Sequence, residues 1–149
     1  MRRIAPHAEA AGTALRLAEF LGRWRIAREI IQDDGTRGTF DGVAVWTPEG
    51  DGALYVETGT LSLGGQGRFA AERRYRWGGD LGVFFDDGRF FHQVPPLGGP
   101  VGHWCPPDQY DGTYDFGAWP RWQVIWHVRG PRKAYVSTTT YTPDDLISP

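Results

Sequence analysis

The feature that most constrains the fold is a two-residue alternation of apolar and polar side chains, which begins after Gly22 and recurs along the chain. In the first such segment, Trp24, Ile26 and Ile30 alternate with charged residues. Alternation of this kind is typical of strands. Eight further segments of this kind or of strand-like composition follow, at 39–46, 54–63, 69–77, 81–85, 89–94, 112–116, 122–129 and 134–141.

The connections between these segments determine how the strands pair. Most are short and rich in Gly and Asp, such as Asp34-Gly35 and Asp87-Gly88, and turns of this chemistry join antiparallel neighbours. No helical pattern lies between strands to make a parallel crossover. Closing such a meander removes its two edges. We therefore predict an all-β fold, an antiparallel up-and-down barrel of about 8–10 strands, with a β-sandwich as the main competitor.

The chain is 149 residues long, which fits one domain over 1–149. Apolar residues at helical spacing predict a short helix over 13–21, placed to cap one end of the barrel, while 1–12 are expected to be loose. One connection is unusual, because 95–109 shows no periodicity. Long aperiodic loops in compact domains are often functional, and we expect this one to cover the mouth of the barrel.

Composition bears on the partners and the compartment. The net charge is −2 and Cys105 is the only cysteine, so we expect a reducing, cytoplasmic compartment and no recruitment of nucleic acid by a basic field. The basic and aromatic strand Arg73–Trp77 could stack single-stranded nucleic acid, but no second basic run accompanies it. No apolar stretch reaches membrane-spanning length, and we expect no membrane association. A homodimer is an open alternative.

The segment Phe20-Leu21-Gly22-Arg23-Trp24 carries a resemblance to a known family. A helical turn followed by Gly-x-Trp at the start of the first strand resembles the lipocalins and the wider calycin group. The resemblance implies that Trp24 plugs the barrel floor and that a late arginine, Arg129 or Arg132, packs across it. Gly22 and these three side chains are thus expected to be structural. The chain lacks the Thr-Asp-Tyr motif and the disulfide pair of secreted lipocalins.

The chain also resembles an uncharacterised bacterial family of about 150 residues, a domain of unknown function. The matching segments include Gly38-Thr39-Phe40-Asp41-Gly42, Arg73-Arg74-Tyr75, residues 85–92 and Gly130-Pro131-Arg132-Lys133. The family carries no assigned activity, so this resemblance supports the fold and leaves the function open.

The inward faces of the strands predict an aromatic cavity with a few polar groups, which is typical of small-molecule sites. The expected ligand-binding residues are Arg28, Trp46, Tyr55, Glu57, Arg73, Tyr75, Trp77, His92, Tyr114 and Trp126. On the third strand, the opposite face (Leu54, Val56, Thr58) is nearly as plausible. The ligand is expected to be hydrophobic or amphiphilic, with an anionic or carbonyl group.

The charged residues of this set suggest a division of roles. A buried guanidinium needs a partner, and Glu57 can satisfy one arginine, Arg28 or Arg73. The other arginine would then be free to receive a carboxylate or phosphate. The alternative is that Arg28, Glu57 and Arg73 form a closed salt-bridge network, or that some of them face solvent.

Three other hypotheses stay open. His92, His103 and Tyr114 are candidates for acid–base catalysis in the same cavity. His103 and Cys105 have side chains that bind metals, but they lack a second closely spaced pair, so no metal site and no cofactor are predicted; haem or another tetrapyrrole is an alternative. A barrel filled by its own side chains would instead be a structural or interaction module.

Overall fold

The computed structural model describes residues 12–144 and contains one short helix and ten strands. The helix α1 is Leu17–Phe20. The strands are β1 Gly22–Gln32, β2 Arg37–Glu49, β3 Gly52–Leu63, β4 Arg68–Trp77, β5 Gly82–Phe85, β6 Phe90–Gln93, β7 Gly99–Cys105, β8 Asp108–Asp115, β9 Trp122–Arg129 and β10 Ala134–Pro143. Within residues 12–144, no helix is long and apolar enough to cross a membrane.

The ten strands form one antiparallel sheet in the order β6-β5-β4-β3-β2-β1-β10-β9-β8-β7. The first and last strands of the chain are therefore neighbours, with Trp24 opposite Pro143 and Gln32 opposite Tyr135. The sheet curls until β6 and β7 approach each other without a hydrogen-bonded ladder between them. This arrangement confirms the predicted all-β barrel, which is nearly closed.

The inward faces of β1 to β4 follow the predicted alternation. On β3, Tyr55 and Glu57 are 3% and 2% exposed, so the face that contains them points inward and the opposite face points outward. Glycine allows an unusually close approach between β2 and β3. A Cβ on Gly42 would lie 2.0 Å from the Thr58 carbonyl oxygen, and one on Gly59 would lie 2.2 Å from that of Asp41.

The predicted helix over 13–21 is too long. Only Leu17–Phe20 is helical, because the backbone of Leu15 donates a hydrogen bond to the Pro96 carbonyl and Arg16 is extended. Residues 12–16 thus form an irregular lead-in to the helix. The expectation that residues 1–12 are loose falls, apart from Gly12, outside the described residues.

The predicted loop over 95–109 is also wrong. Most of it forms β7 and the start of β8, a hairpin in which His103 pairs with Tyr110. The alternation is present, since Val101, His103 and Cys105 are half-buried and their neighbours are exposed. The glycine and proline residues of β7 carry no hydrophobic signal, so this alternation is not visible in a hydrophobicity pattern. Proline is tolerated because β7 lies at the edge of the sheet.

One end of the barrel is closed by a cluster of aromatic side chains, called the floor here. Trp24 lies at its centre, fully buried, and its indole nitrogen donates to the Phe20 carbonyl oxygen over 2.7 Å. Gly22, which precedes it, has φ +107°, a conformation that favours glycine. The other members of the floor are Phe20, Trp46, Trp77, Phe116, Trp119 and Trp122.

The expected arginine over Trp24 is not at the floor. Arg129 pairs with Asp111 on the outside of the barrel, and Arg132 lies in the β9–β10 hairpin. The antiparallel register puts that hairpin beside the far end of β1, so Arg129 and Arg132 are at the opposite end from Trp24. Trp119 and Trp122 pack against Trp24 instead.

Candidate functional site

The end of the barrel opposite the floor contains a cavity of about 400 Å³, called the outer cavity here. It lies among the β1–β2, β3–β4 and β9–β10 hairpins, and its size falls within the range of small-molecule sites. Its lining is Arg28, Ile30, Gln32, Phe40, Glu57, Leu61, Leu63, Ala71, Glu72, Arg73, Arg132, Lys133, Ala134, Tyr135 and Ser137.

The outer cavity carries a positive charge although the chain as a whole does not. Four of its lining side chains are cationic (Arg28, Arg73, Arg132, Lys133) and two, Glu57 and Glu72, are anionic. The formal balance is therefore +2, against −2 for the whole chain. A cleft lined by one sign of charge concentrates ligands of the other sign, so the electrostatics of this cavity favour an anion.

Arg28 and Glu57 form an ion pair at the base of the outer cavity. Two guanidinium nitrogens of Arg28 donate to the two carboxylate oxygens over 2.7 and 3.0 Å, and Nε donates to the Thr139 hydroxyl over 2.7 Å. Burial alone would raise the pKa of Glu57, but Arg28 outweighs it and holds that pKa below its ordinary value. The pair is thus ionised at neutral pH.

Two tyrosines complete the surroundings of Glu57. The hydroxyl of Tyr55 donates to Glu57 over 2.5 Å and lies 2.8 Å from the hydroxyl of Tyr141. An ionised carboxylate can only accept hydrogen bonds. The Tyr55 hydroxyl therefore donates to Glu57, and the Tyr141 hydroxyl must donate to Tyr55. Burial raises the pKa of both phenols, so both stay protonated. At neutral pH the network therefore consists of two neutral phenols and one ionised carboxylate.

Arg73 is placed differently from Arg28. Its side chain is 54% exposed, whereas that of Arg28 is 9% exposed, and its Nε lies 3.9 Å from Glu57, too far for a hydrogen bond. The guanidinium lines the outer cavity, a side cavity of about 290 Å³ and a small chamber beneath them. Arg73 is thus the second, loosely held arginine beside one carboxylate.

The small chamber, called the inner chamber here, has a volume of about 60 Å³ and lies between the outer cavity and the floor. One wall carries the Glu57 network. On another, His92 Nε2 is 2.7 Å from the Tyr114 hydroxyl, and both residues are buried. Burial, with a smaller effect of His103, lowers the pKa of His92 to about 3, so the imidazole is neutral at physiological pH.

The structure brings most of the residues expected to bind a ligand into one place. The residues that line the inner chamber include Arg28, Tyr55, Glu57, Arg73, Tyr75, Trp77, His92, Tyr114 and Trp126. Trp46 is the exception, since it is 1% exposed and packs in the floor. Whether the nine residues bind a ligand stays a prediction.

Sequence reasoning missed the contribution of β10. Ser137, Thr139 and Tyr141 all line the inner chamber, and they alternate with outward residues from Tyr135 onwards. The period of two that places Tyr135 at the wall of the outer cavity, continued along β10, would have found them. Their small or hydroxylated side chains gave no hydrophobic signal.

The other candidate residues lie away from this network. His103 and Cys105 are half-buried on β7, and His103 packs against Phe85 and Phe91. Residues 12–144 contain no group of three or more His, Cys, Asp or Glu side chains arranged to hold a metal ion. Of the three acid–base candidates, the structure brings His92 and Tyr114 together and leaves His103 outside their hydrogen bond.

The fold and its interior cavities define a calycin-like β-barrel. The chain belongs to a family of unknown function, DUF6314, whose model matches residues 20–143. No curated protein matches it.

Two solved structures resemble the fold. The S-type phycobiliprotein lyase CPES from Guillardia theta aligns with a TM-score of 0.62 and 8% identity, over 86% of this chain and 90% of the lyase. A protein of unknown function from the DUF3598 family of Nostoc punctiforme PCC 73102 aligns with a TM-score of 0.52 and 14% identity, over 86% of this chain but 49% of that protein. At these identities the likeness concerns the fold.

Proposed function

We propose that this chain binds a small amphiphilic molecule with a carboxylate or similar anionic group in the outer cavity. The observation that carries the proposal is the contrast between two arginines beside one carboxylate. Arg28 is neutralised by Glu57 with two hydrogen bonds, whereas Arg73 makes none to it and faces the cavity. A guanidinium in that position binds a carboxylate through two parallel hydrogen bonds.

The rest of the lining supports an amphiphilic ligand. Ile30, Phe40, Leu61 and Leu63 form an apolar wall beside the cationic one. Burial of a hydrocarbon chain there supplies affinity at roughly 25 cal/mol per Å² of apolar surface, while Arg73 fixes the position of the anionic end. The outer cavity supports a ligand-binding barrel over one filled by its own side chains.

The test is calorimetric titration with decanoate, which has an anionic end and an apolar chain. Arg73→Gln removes the charge, and we expect it to weaken decanoate binding about 10- to 100-fold, the value of a charge-assisted pair. Arg76→Gln is the matched control, because Arg76 lies on the outer face of the same strand, pairs with Glu49 and lines none of the three cavities described above. Equal affinity of the wild type and both variants would refute the assignment of Arg73.

A tetrapyrrole is the second candidate ligand. The observation that favours it is the fold shared with a phycobiliprotein lyase, and the two carboxylates of a bilin or haem would suit Arg73 together with Arg132 or Lys133. Titration with biliverdin and haemin, followed by visible absorbance, tests this alternative. A saturable spectral shift that Arg73→Gln weakens and Arg76→Gln leaves intact would favour it over a fatty acid.

A further inference from the structure

The His92–Tyr114 pair in the inner chamber contains one buried hydrogen-bond donor that has no acceptor. His92 and Tyr114 are 4% and 6% exposed and share one hydrogen bond, and His92 Nδ1 has no partner. A neutral imidazole has one donor and one acceptor. If Tyr114 donates to Nε2, the imidazole proton is on Nδ1 and lacks an acceptor. If Nε2 donates instead, the Tyr114 proton lacks one.

No other group of the described chamber lining hydrogen-bonds to this pair. On the opposite wall, Glu57 accepts from two nitrogens of Arg28 and from Tyr55, and Tyr141 and Tyr55 are joined in the same chain of hydrogen bonds. The remaining lining includes apolar side chains such as Val83 and Val124, and the hydroxyls of Tyr75 and Ser137, which make no hydrogen bond to the pair. A buried donor without a partner is costly, so an acceptor from outside the chain would stabilise the chamber.

The size and charge of the chamber define that acceptor. A volume of about 60 Å³ has room for a few water-sized groups, which is enough for a carbonyl. Beside the His92–Tyr114 pair, a carboxylate would meet only a neutral donor and would lie near the ionised Glu57, whose compensating Arg28 is already engaged. Arg73, the other cation of the lining, also lines the outer cavity. The chamber therefore suits an uncharged oxygen.

We propose that the inner chamber binds an uncharged carbonyl of the ligand, which accepts a hydrogen bond from the His92–Tyr114 pair. This inference rests on the proposed function, because Arg73 lines both the outer cavity and the inner chamber and would hold the anionic end of the same molecule. The ligand class is thus an oxo acid, or an ester or amide of similar shape, with a carbonyl separated from its carboxylate by an apolar segment.

The experiment compares decanoate with the series of mono-oxodecanoates, which differ from it only in the presence and position of one carbonyl. In the wild type, we expect at least one oxo isomer to bind about 10-fold more tightly than decanoate, because it satisfies the buried donor. In the double variant His92→Phe/Tyr114→Phe, which removes both polar groups, that preference should fall below about 2-fold. Equal affinities for decanoate and every isomer in the wild type would overturn the inference.

A second measurement does not depend on the folding of the double variant. In wild-type protein labelled with 15N at histidine, the ring-nitrogen resonances of His92 should shift with the preferred oxo isomer and stay unchanged with decanoate. Unchanged His92 resonances with every isomer would contradict a carbonyl in the chamber. His103 and His127, which are outside the pair, provide internal references.

Arg73→Gln separates this inference from the proposed function. It should weaken decanoate and the preferred oxo isomer by the same factor and leave their ratio intact. If neither decanoate nor any oxo isomer binds the wild type, the proposed function fails for this ligand class and the inference fails with it. If all bind equally and Arg73→Gln weakens them all, only the inner-chamber inference fails.

Discussion

The two ends of the barrel are built from the same strands, yet one is a packed floor and the other encloses a cavity. At the floor, Phe20, Trp24 and Trp46 are at most 1% exposed. At the open end, the inward side chains of the same strands, such as Ile30 and Leu61, leave about 400 Å³ between them. The difference lies in what is added to the sheet: α1 contributes Phe20 and the β8–β9 connection contributes Trp119, whereas the open end has only hairpins.

The Arg28–Glu57 pair marks the boundary between the two regions. Below it, the interior is held by aromatic contacts such as the stacked pair of Trp122 and Tyr141, whose ring centroids are 3.9 Å apart. Above it, the lining is partly solvated and charged. The comparison teaches that aromatic content does not by itself predict a cavity, since aromatic side chains fill the lower half and the larger cavity lies in the upper half.

The largest effect should follow from emptying the floor. Trp24→Ala removes a fully buried indole and should lower the free energy of unfolding by about 3–5 kcal/mol. Tyr135→Ala at the wall of the outer cavity is the matched control and should cost less than about 1 kcal/mol, because its side chain is half-buried. Urea unfolding followed by circular dichroism measures both. Equal losses would contradict the division of the barrel into two regions.

The next-largest effect should come from breaking the Arg28–Glu57 ion pair, which lies at the boundary between the two regions. Arg28→Met leaves Glu57 buried without its cation and should lower the free energy of unfolding by about 3 kcal/mol, measured in the same urea experiment. Replacing the carboxylate as well, in Arg28→Met/Glu57→Gln, should recover part of this loss, since the uncompensated charge is removed. A double variant that is less stable than Arg28→Met would refute this account.

Sequence reasoning predicted the charge pairing and the inward face in the open half, but it missed part of the floor. The cost of an unpaired buried charge suggested that Glu57 satisfies one of Arg28 and Arg73, although not which one, and left a closed network of all three as the alternative. The two-residue period placed Tyr55 and Glu57 on the inward face. These inferences use local alternation and pairing rules, which do not depend on distant parts of the chain.

What the sequence could not provide is the position of each residue along the barrel axis. The family resemblance implied Arg129 or Arg132 over Trp24, whereas the register between β1 and β10 places both at the opposite end. Trp46 was expected in the cavity because alternation gives the inward face but not the depth. The strand β7 was missed because Gly99, Pro100 and Gly102 carry no hydrophobic signal.

A pH effect of intermediate size should arise at the inner chamber. His92 has a pKa of about 3 in the folded chain and about 6.5 when unfolded. The unfolded chain therefore binds an extra proton as the pH falls below 6.5, and stability falls with it. Between pH 6.5 and 5 we expect His92 to account for a loss of about 1.5 kcal/mol.

The measurement is urea unfolding at pH 6.5 and 5, a window above the range in which the carboxylates titrate. In His92→Phe the loss over this window should be smaller than in the wild type by about that amount. His127→Asn, an exposed position on the outer face of β9, is the control and should follow the wild type. Identical pH dependence in all three proteins would show that folding does not lower the pKa of His92.

The smallest effect on stability should come from Arg73, which the comparison assigns wholly to the open half. Because its side chain is 54% exposed and its contact with Glu57 is long, Arg73→Gln should change the free energy of unfolding by less than about 0.5 kcal/mol. Thermal unfolding with and without decanoate then separates binding from folding, because a ligand that binds the native state raises the midpoint temperature. The wild type and Arg76→Gln should gain such a shift and Arg73→Gln should lose most of it. A large loss of stability in Arg73→Gln without ligand would instead make Arg73 part of the same structural network as Arg28, and the boundary would have to be drawn nearer the mouth.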